Sequence, residues 1–323
     1  MKSTCEIDLD EDGRGALSAA SLLSHLCVDA TTHQGQKQVA LARYNRSIAR
    51  IGEKTARAAK KLEDCIREET SKGLDHLGAP RDEELIDALE LALYAAAEHT
   101  DDLKFIAREL AGIRGDNPDK AAERLERALK PVRHRVSMIT NKIKHAQWRL
   151  ALVRQGFILG DVPLVLHGLV LTSVSAERVG LESLPPDGAR VIAIPSLLWS
   201  VLEFLVLASE ALTAYLDPTG AEKAAMAPVA VAPLAAAIVA VARLPLYAFE
   251  EEHTHQRLRV LIVVASEAAN EKLRSDLYGS ISQKWDRQAS GAAGGFRFAV
   301  QGDGVSRTFD FPTLKNVSLL HWD

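Results

Sequence analysis

The string Asn141-Lys-Ile-Lys-His145-Ala-Gln-Trp-Arg149 contains the residue types from which acid–base chemistry on a ribose is built. Asn141, His145 and Arg149 recur at i, i+4 and i+8, so on one continuous helix they share a face, with Lys144 and Trp148 beside it. An imidazole titrates near neutrality and can take the proton of a 2′-hydroxyl, and a guanidinium can hold the scissile phosphate in a two-pronged grip. The same spacing also suits a purely structural role, with His145 hydrogen-bonded to Asn141 in a core and Trp148 as packing.

The surroundings are cationic. From Lys120 to Arg154 the chain carries ten Lys and Arg against two acids, Glu123 and Glu126, although the formal net charge of the whole is −4. Such an excess attracts a phosphate backbone or an acidic partner. It serves equally to solvate the outer faces of helices. The candidate catalytic residues are His145, Asn141 and Arg149, and the candidate nucleic-acid contacts are Arg133, Arg135, Lys142, Lys144 and Arg154.

This segment resembles the motif helix of HEPN-fold proteins, all-α domains often found as RNA-cutting toxins and antiphage-defence nucleases. Their motif is an Arg, usually a polar residue straight after it, four to six residues between Arg and His, then the His. Asn141 and His145 fit the polar residue and the His. Positions 138–140, where the Arg belongs, are Met138, Ile139 and Thr140, and Arg135 is out of register. The resemblance covers at most residues 80–215. It implies a symmetric homodimer whose basic helices face each other across one composite site. Cleavage there needs no metal and no cofactor, because the 2′-hydroxyl attacks the adjacent phosphate and leaves a cyclic phosphate. Arg149 or Arg135 of a second copy would supply the missing charge. The alternative is a non-catalytic dimeric scaffold or sensor that binds nucleic acid or a protein partner.

Other chemistry finds less footing. Glu250-Glu-Glu-His253-Thr-His255 gathers acids and imidazoles, but without an HExxH signature it reads as a solvated helix face. No GxxxxGK[ST] loop, GxGxxG turn or GxSxG elbow is present. The acidic segment 6–12 lacks the glycine and spacing of a calcium loop. The four tryptophans are scattered and make no stacking platform among themselves. No metal or cofactor is expected.

The elements that must position these residues are mainly helical. Residues 1–13 read as a polar tail, and Ser18–Ala30 as a short helix. From Gln34 to Ser71 a long helix is predicted, with apolar residues alternating at three and four: Leu41, Tyr44, Ile48, Ile51, Thr55, Ala58, Leu62 and Cys65. So narrow a seam needs a partner, from this chain or a second copy, and the small Thr55 and Ala58 allow close approach. Asp82–Thr100 begins acidic, as a helix start should, and residues 101–110 continue it or form a separate helix. Asn117-Pro118 signals a capped start for a helix to Leu129, and Pro131 starts another to about Gln155. Residues 157–176 read as short strands or a hairpin, Ser196–Leu216 as an apolar helix, and Leu246–Ser280 as helix again. Phe296–Val300 and Val305–Phe311 alternate about the turn 301–304, a β-hairpin to which 317–320 adds a strand. The fold class is therefore mainly α, a helical bundle with a small β insertion near the middle and a C-terminal β-hairpin. Its divisions are a tail and heptad helix over 1–75, a HEPN-like bundle over 76–290 with the insertion at about 157–185, and a cap over 291–323.

Composition sets the outer bounds. The chain has 323 residues, 47% hydrophobic and 25% charged, an ordinary globular balance. Three cysteines without a CxxC pair exclude a disulfide scaffold or zinc knuckle and fit a reducing cytoplasm. The acidic start is unlike a signal peptide. Residues 224–242 carry no charge and reach the length of a membrane span, but the alanines, Pro228 and Pro233 favour a helix buried in the bundle.

Overall fold

The computed structural model describes residues 4–8, 15–28, 34–72, 82–145, 148–159, 162–175, 178–182, 191–219, 230–249, 260–264, 295–302 and 305–312. In chain order these form β1 (Thr4–Asp8), β2 (Gly15–Ala16), α1 (Ser18–Val28), α2 (Gln34–Lys72), α3 (Asp82–Arg114), α4 (Pro118–Leu129) and α5 (His134–His145). There follow β3 (Trp148–Leu159), β4 (Val162–Ser175), β5 (Arg178–Glu182), β6 (Ile192–Ala193), α6 (Ile194–Leu216), β7 (Ala230–Val231) and α7 (Ala232–Ala242). The remainder is β8 (Pro245–Phe249), β9 (Val260–Val264), β10 (Gly295–Gly302) and β11 (Val305–Pro312). The fold is mainly α, with seven helices among the described residues.

Helix α2 is the axis of the body. Its seam residues Tyr44, Ile48, Ile51, Thr55, Ala58, Leu62 and Cys65 are buried, and α3 and α7 pack along it. The partner that the heptad pattern demands is thus supplied by this chain. Burying each large seam side chain contributes about 1.5–3 kcal/mol, which sets the register of the helices. At Gly52 the backbones of α2 and α7 come closest: a Cβ there would lie 2.5 Å from the Pro233 carbonyl oxygen. Thr55 and Ala58 are buried as their size predicts, but the tightest approach is one turn earlier.

Helix α3 begins with Asp82, Glu83 and Glu84 at the positive end of its dipole and runs unbroken through residues 101–110 to Arg114. Leu103, Ile106, Ala107 and Leu110 continue its buried stripe. Asp102 stays on the helix by pairing with Arg43 and Arg50 of α2, each at 3.2 Å. Gly115 follows in the left-handed region (φ 73°) that glycine adopts at little cost, and the helix stops there. The predicted cap is present: Asn117 Oδ1 accepts hydrogen bonds from the backbone N–H groups of Asp119 (3.1 Å) and Lys120 (3.0 Å).

Within the uncharged stretch 224–242, residues 232–242 form the 11-residue helix α7, which buries Leu234, Ile238 and Val241 in the core. At 1.5 Å per residue such a helix reaches roughly half of a bilayer's apolar thickness. Among the described residues one helix, α6, is long and apolar enough to cross a membrane, and 67% of that window is buried inside the fold.

Four expectations are corrected. The helix expected from Pro131 to Gln155 ends at His145, and Trp148–Leu159 is a strand paired antiparallel with β4 from Trp148↔Ser173 to Leu159↔Val162. The reason is that Trp148-Arg-Leu-Ala-Leu-Val satisfies both periods, and pairing with the β-branched run Val162–Val174 decides for the strand. The insertion therefore begins at Trp148 rather than near 157, and it gathers β3, β4, β5 and β6 in one sheet. Residues 4–8, expected in a tail, form β1, parallel to β10 with Thr4↔Gly295 and Asp8↔Ala299. Within Leu246–Ser280, residues 246–249 and 260–264 are strands that pair with each other, consistent with the β-branched run Val260–Val264. The expected C-terminal hairpin is present as β10 and β11, paired Phe296↔Phe311 and Phe298↔Phe309, but Gln301 and Gly302, expected in the turn, belong to the strand and pair with Ser306 and Val305. The strand expected at 317–320 lies outside the described residues.

Candidate nucleic-acid interface

Helix α5 buries Val136, Ile139 and Thr140 and packs Ile143 partly against the core, a stripe at i, i+3, i+4 and i+7. Thr140 adds a local bond, its Oγ1 donating to the Val136 carbonyl at 2.8 Å. At about 100° per residue, Asn141 and His145 fall almost opposite that stripe. Both are exposed, His145 as the last residue of the helix. The core-histidine arrangement is therefore not adopted. The ridge they form is the part of the predicted site that the structure brings together.

Arg149 leaves the shared helical face. It is the second residue of β3, exposed, and separated from His145 by the end of the helix. Lys142 and Lys144 flank the ridge, and each ammonium lies over an aromatic ring: Lys142 Nζ is 5.7 Å from the Trp148 centroid and Lys144 Nζ 4.9 Å from that of Tyr94. Arg133 is half-buried and pairs with Glu126 at 2.9 Å. Arg135 is in the first turn of α5, and its side chain lies outside what is described. Lys120, Arg124 and Arg127 of α4, and Lys130 at its C-cap, are exposed in the same stretch of sequence.

Arg154 is corrected outright. It is not a surface cation; it lies inside the fold, its side chain 11% exposed, with Nε donating to Glu69 Oε1 at 2.7 Å and its terminal nitrogens donating to both carboxylate oxygens of Asp82. His167, fully buried on β4, places Nε2 2.8 Å from Glu69 Oε2. The physical reason is topological. The C-terminal end of α2, the first residue of α3 and two neighbouring strands converge there, and a guanidinium between two carboxylates is the arrangement that tolerates burial. Burial alone would raise the Glu69 carboxyl, but hydrogen bonds and charge from His167 and Arg154 outweigh it and hold the group below its ordinary value. The hydrogen bonds that Arg154 donates to Asp82 raise its already high basicity. Glu69, Asp82 and His167 carried no local signal in the sequence, since the contacts span 72 to 85 residues between Arg154 and its acids.

A second buried imidazole, His99 of α3, meets Ser47 Oγ of α2 at 2.8 Å through Nδ1 and packs against the rings of Tyr44 and Phe204. Burial, with a smaller contribution from the charge of Arg50, lowers its pKa to about 3, so the ring is neutral across the physiological range.

Among the described residues no group of three or more His, Cys, Asp or Glu is placed to hold a metal ion. Glu250–His255 lies outside the described residues. What the described surface offers is a ridge of one carboxamide and one imidazole, edged by lysines and followed by an exposed arginine. Compared with known proteins, the chain matches no protein-family profile, no curated protein and no solved structure.

Proposed function

We propose that the chain is a HEPN-like RNA-binding effector whose contact surface is the Asn141–His145 ridge with Lys142, Lys144 and Arg149. The observation that carries this reading is the exposure of His145 and Asn141 on the side of α5 opposite its buried stripe, within the most cationic stretch of the chain. A rigid helix that holds an amide and an imidazole open to solvent, among cations, is suited to the ribose and phosphate edge of RNA. The reading extends to a homodimer acting in the cytoplasm as a toxin or antiphage factor.

A ribonuclease activity is the stronger form of the same proposal, and the solvent access of His145 favours it. In that form the His145 imidazole takes the 2′-hydroxyl proton, the 2′-oxygen attacks phosphorus, and the 5′-oxygen leaves protonated by solvent, giving a cyclic phosphate without a metal. The motif arginine is absent from α5, so a positive charge on the phosphate has to come from Arg149 or from a second copy. Full-length protein with labelled tRNA in EDTA tests both forms. Cutting that His145→Ala abolishes, with an unchanged helical circular dichroism spectrum, supports the ribonuclease. Retention without cutting leaves a binding module, and neither retention nor cutting overturns the RNA reading in favour of a scaffold for an acidic protein partner.

A further inference from the structure

The two aromatic rings beside α5 have no role in the ridge chemistry as described so far. Relative to the midpoint of Asn141 and His145, Lys142 lies about 80° to one side of the helix and Lys144 about 80° to the other. The rings they cover come from different elements, Trp148 from β3 and Tyr94 from α3. Both residues are half-buried. Burial and the nearby Glu90 carboxylate raise the Tyr94 phenol above its ordinary value, so it presents an uncharged ring. The helix end is thus edged on both sides by a flat aromatic surface with a lysine ammonium at its face.

The geometry points to Tyr94 and Trp148 as base-stacking residues that take unpaired nucleobases on either side of the ridge. This rests on the RNA reading above and adds what that reading lacks, a contact to the bases. Cations alone grip any phosphate chain, duplex or single. A ring accepts only a base whose face is uncovered, and each such stack is worth enough to shift affinity about tenfold or more. The lysines move from ring to phosphate as the base takes their place, so the rings are held in position before ligand arrives. The tryptophans do not act together in this arrangement; Trp148 acts with a tyrosine that lies 54 residues earlier in the chain.

The test compares binding of a fluorescent single-stranded 12-nucleotide oligoadenylate with that of a duplex RNA of equal length, using the full chain and checking each variant's melting temperature. Wild type should prefer the single strand. Tyr94→Leu should weaken single-strand binding about tenfold and leave duplex binding unchanged, whereas Tyr94→Phe should bind as wild type. Trp148→Leu should act in the same direction, and Trp148→Phe should restore much of the loss if the leucine variant folds poorly. Equal binding of the two RNAs, insensitive to both leucine variants but weakened by Lys144→Ala, overturns the stacking assignment and leaves the RNA reading standing. Binding of neither RNA by wild type overturns both.

Discussion

Two histidine–arginine regions of this protein use the same chemical groups to opposite ends. In the interior, Glu69, Asp82, Arg154 and His167 meet from α2, α3 and two strands, each polar group facing a partner of the same chain. At the surface, Asn141, His145 and Arg149 project from the end of α5 and the start of β3 with no acid drawn up to them in the structure described. The contrast teaches that residue type and sequence spacing do not distinguish a structural cation from one available to a ligand. What distinguishes them is whether the topology brings an acid to it. Arg154 and Arg149 lie five residues apart on one strand and fall on opposite sides of that division.

The comparison breaks most sharply at Arg154. Arg154→Met takes the guanidinium from the buried Glu69 and the half-exposed Asp82 and should cost about 3 kcal/mol of unfolding free energy. Asn141→Ala and His145→Ala, on exposed positions, should stay within about 0.5 kcal/mol. Urea melts of the three variants decide it, and equal losses would mean that the ridge too is structural.

A pH series isolates the buried imidazole of His99. Its native pKa of about 3 lies below the ordinary 6.5, so the unfolded chain takes up a proton that the folded one refuses. That contribution is complete above pH 6.5 and is lost as pH falls towards 3, by up to about 1.4 kcal/mol per pH unit. Glu69 acts in the same direction, its share fading below the ordinary glutamate value of 4.5. His99→Phe should flatten the fall in melting temperature between pH 6.5 and 4.5.

The smallest effect sharpens the surface side. Lys144→Ala should lower the salt slope of RNA binding by roughly one and weaken binding without changing stability.

The parts of the fold that were legible in the sequence are those encoded by neighbours along the chain. Asn117-Pro118 stated its own cap, Asp82-Glu-Glu its helix start, and residues 41–65 their seam, because each depends on residues a turn or two away. The shared face of Asn141 and His145 was legible from their spacing, whereas its exposure follows only from the buried stripe of α5 in the structure. The boundary at Trp148 was not, because a strand and a helix share that apolar spacing and the deciding pairing partner lies across a hairpin. The buried cluster was invisible for a similar reason: Glu69 and His167 are joined by folding alone, with nothing in either one's local pattern to announce the other. The meeting of Tyr94 with Lys144 was not legible either, because the two come from different helices, α3 and α5.

The parallel pairing of β1 with β10 has a consequence in time. Thr4 finds Gly295 across almost the whole sequence, so during vectorial synthesis the first strand emerges about 15 to 60 s before its mate exists, at 5–20 residues per second. Throughout that interval the helices can assemble while one β edge waits unmatched, exposed to strands of other nascent chains. The β1–β10 pairing can therefore close only after the helices that lie between the two strands have left the ribosome.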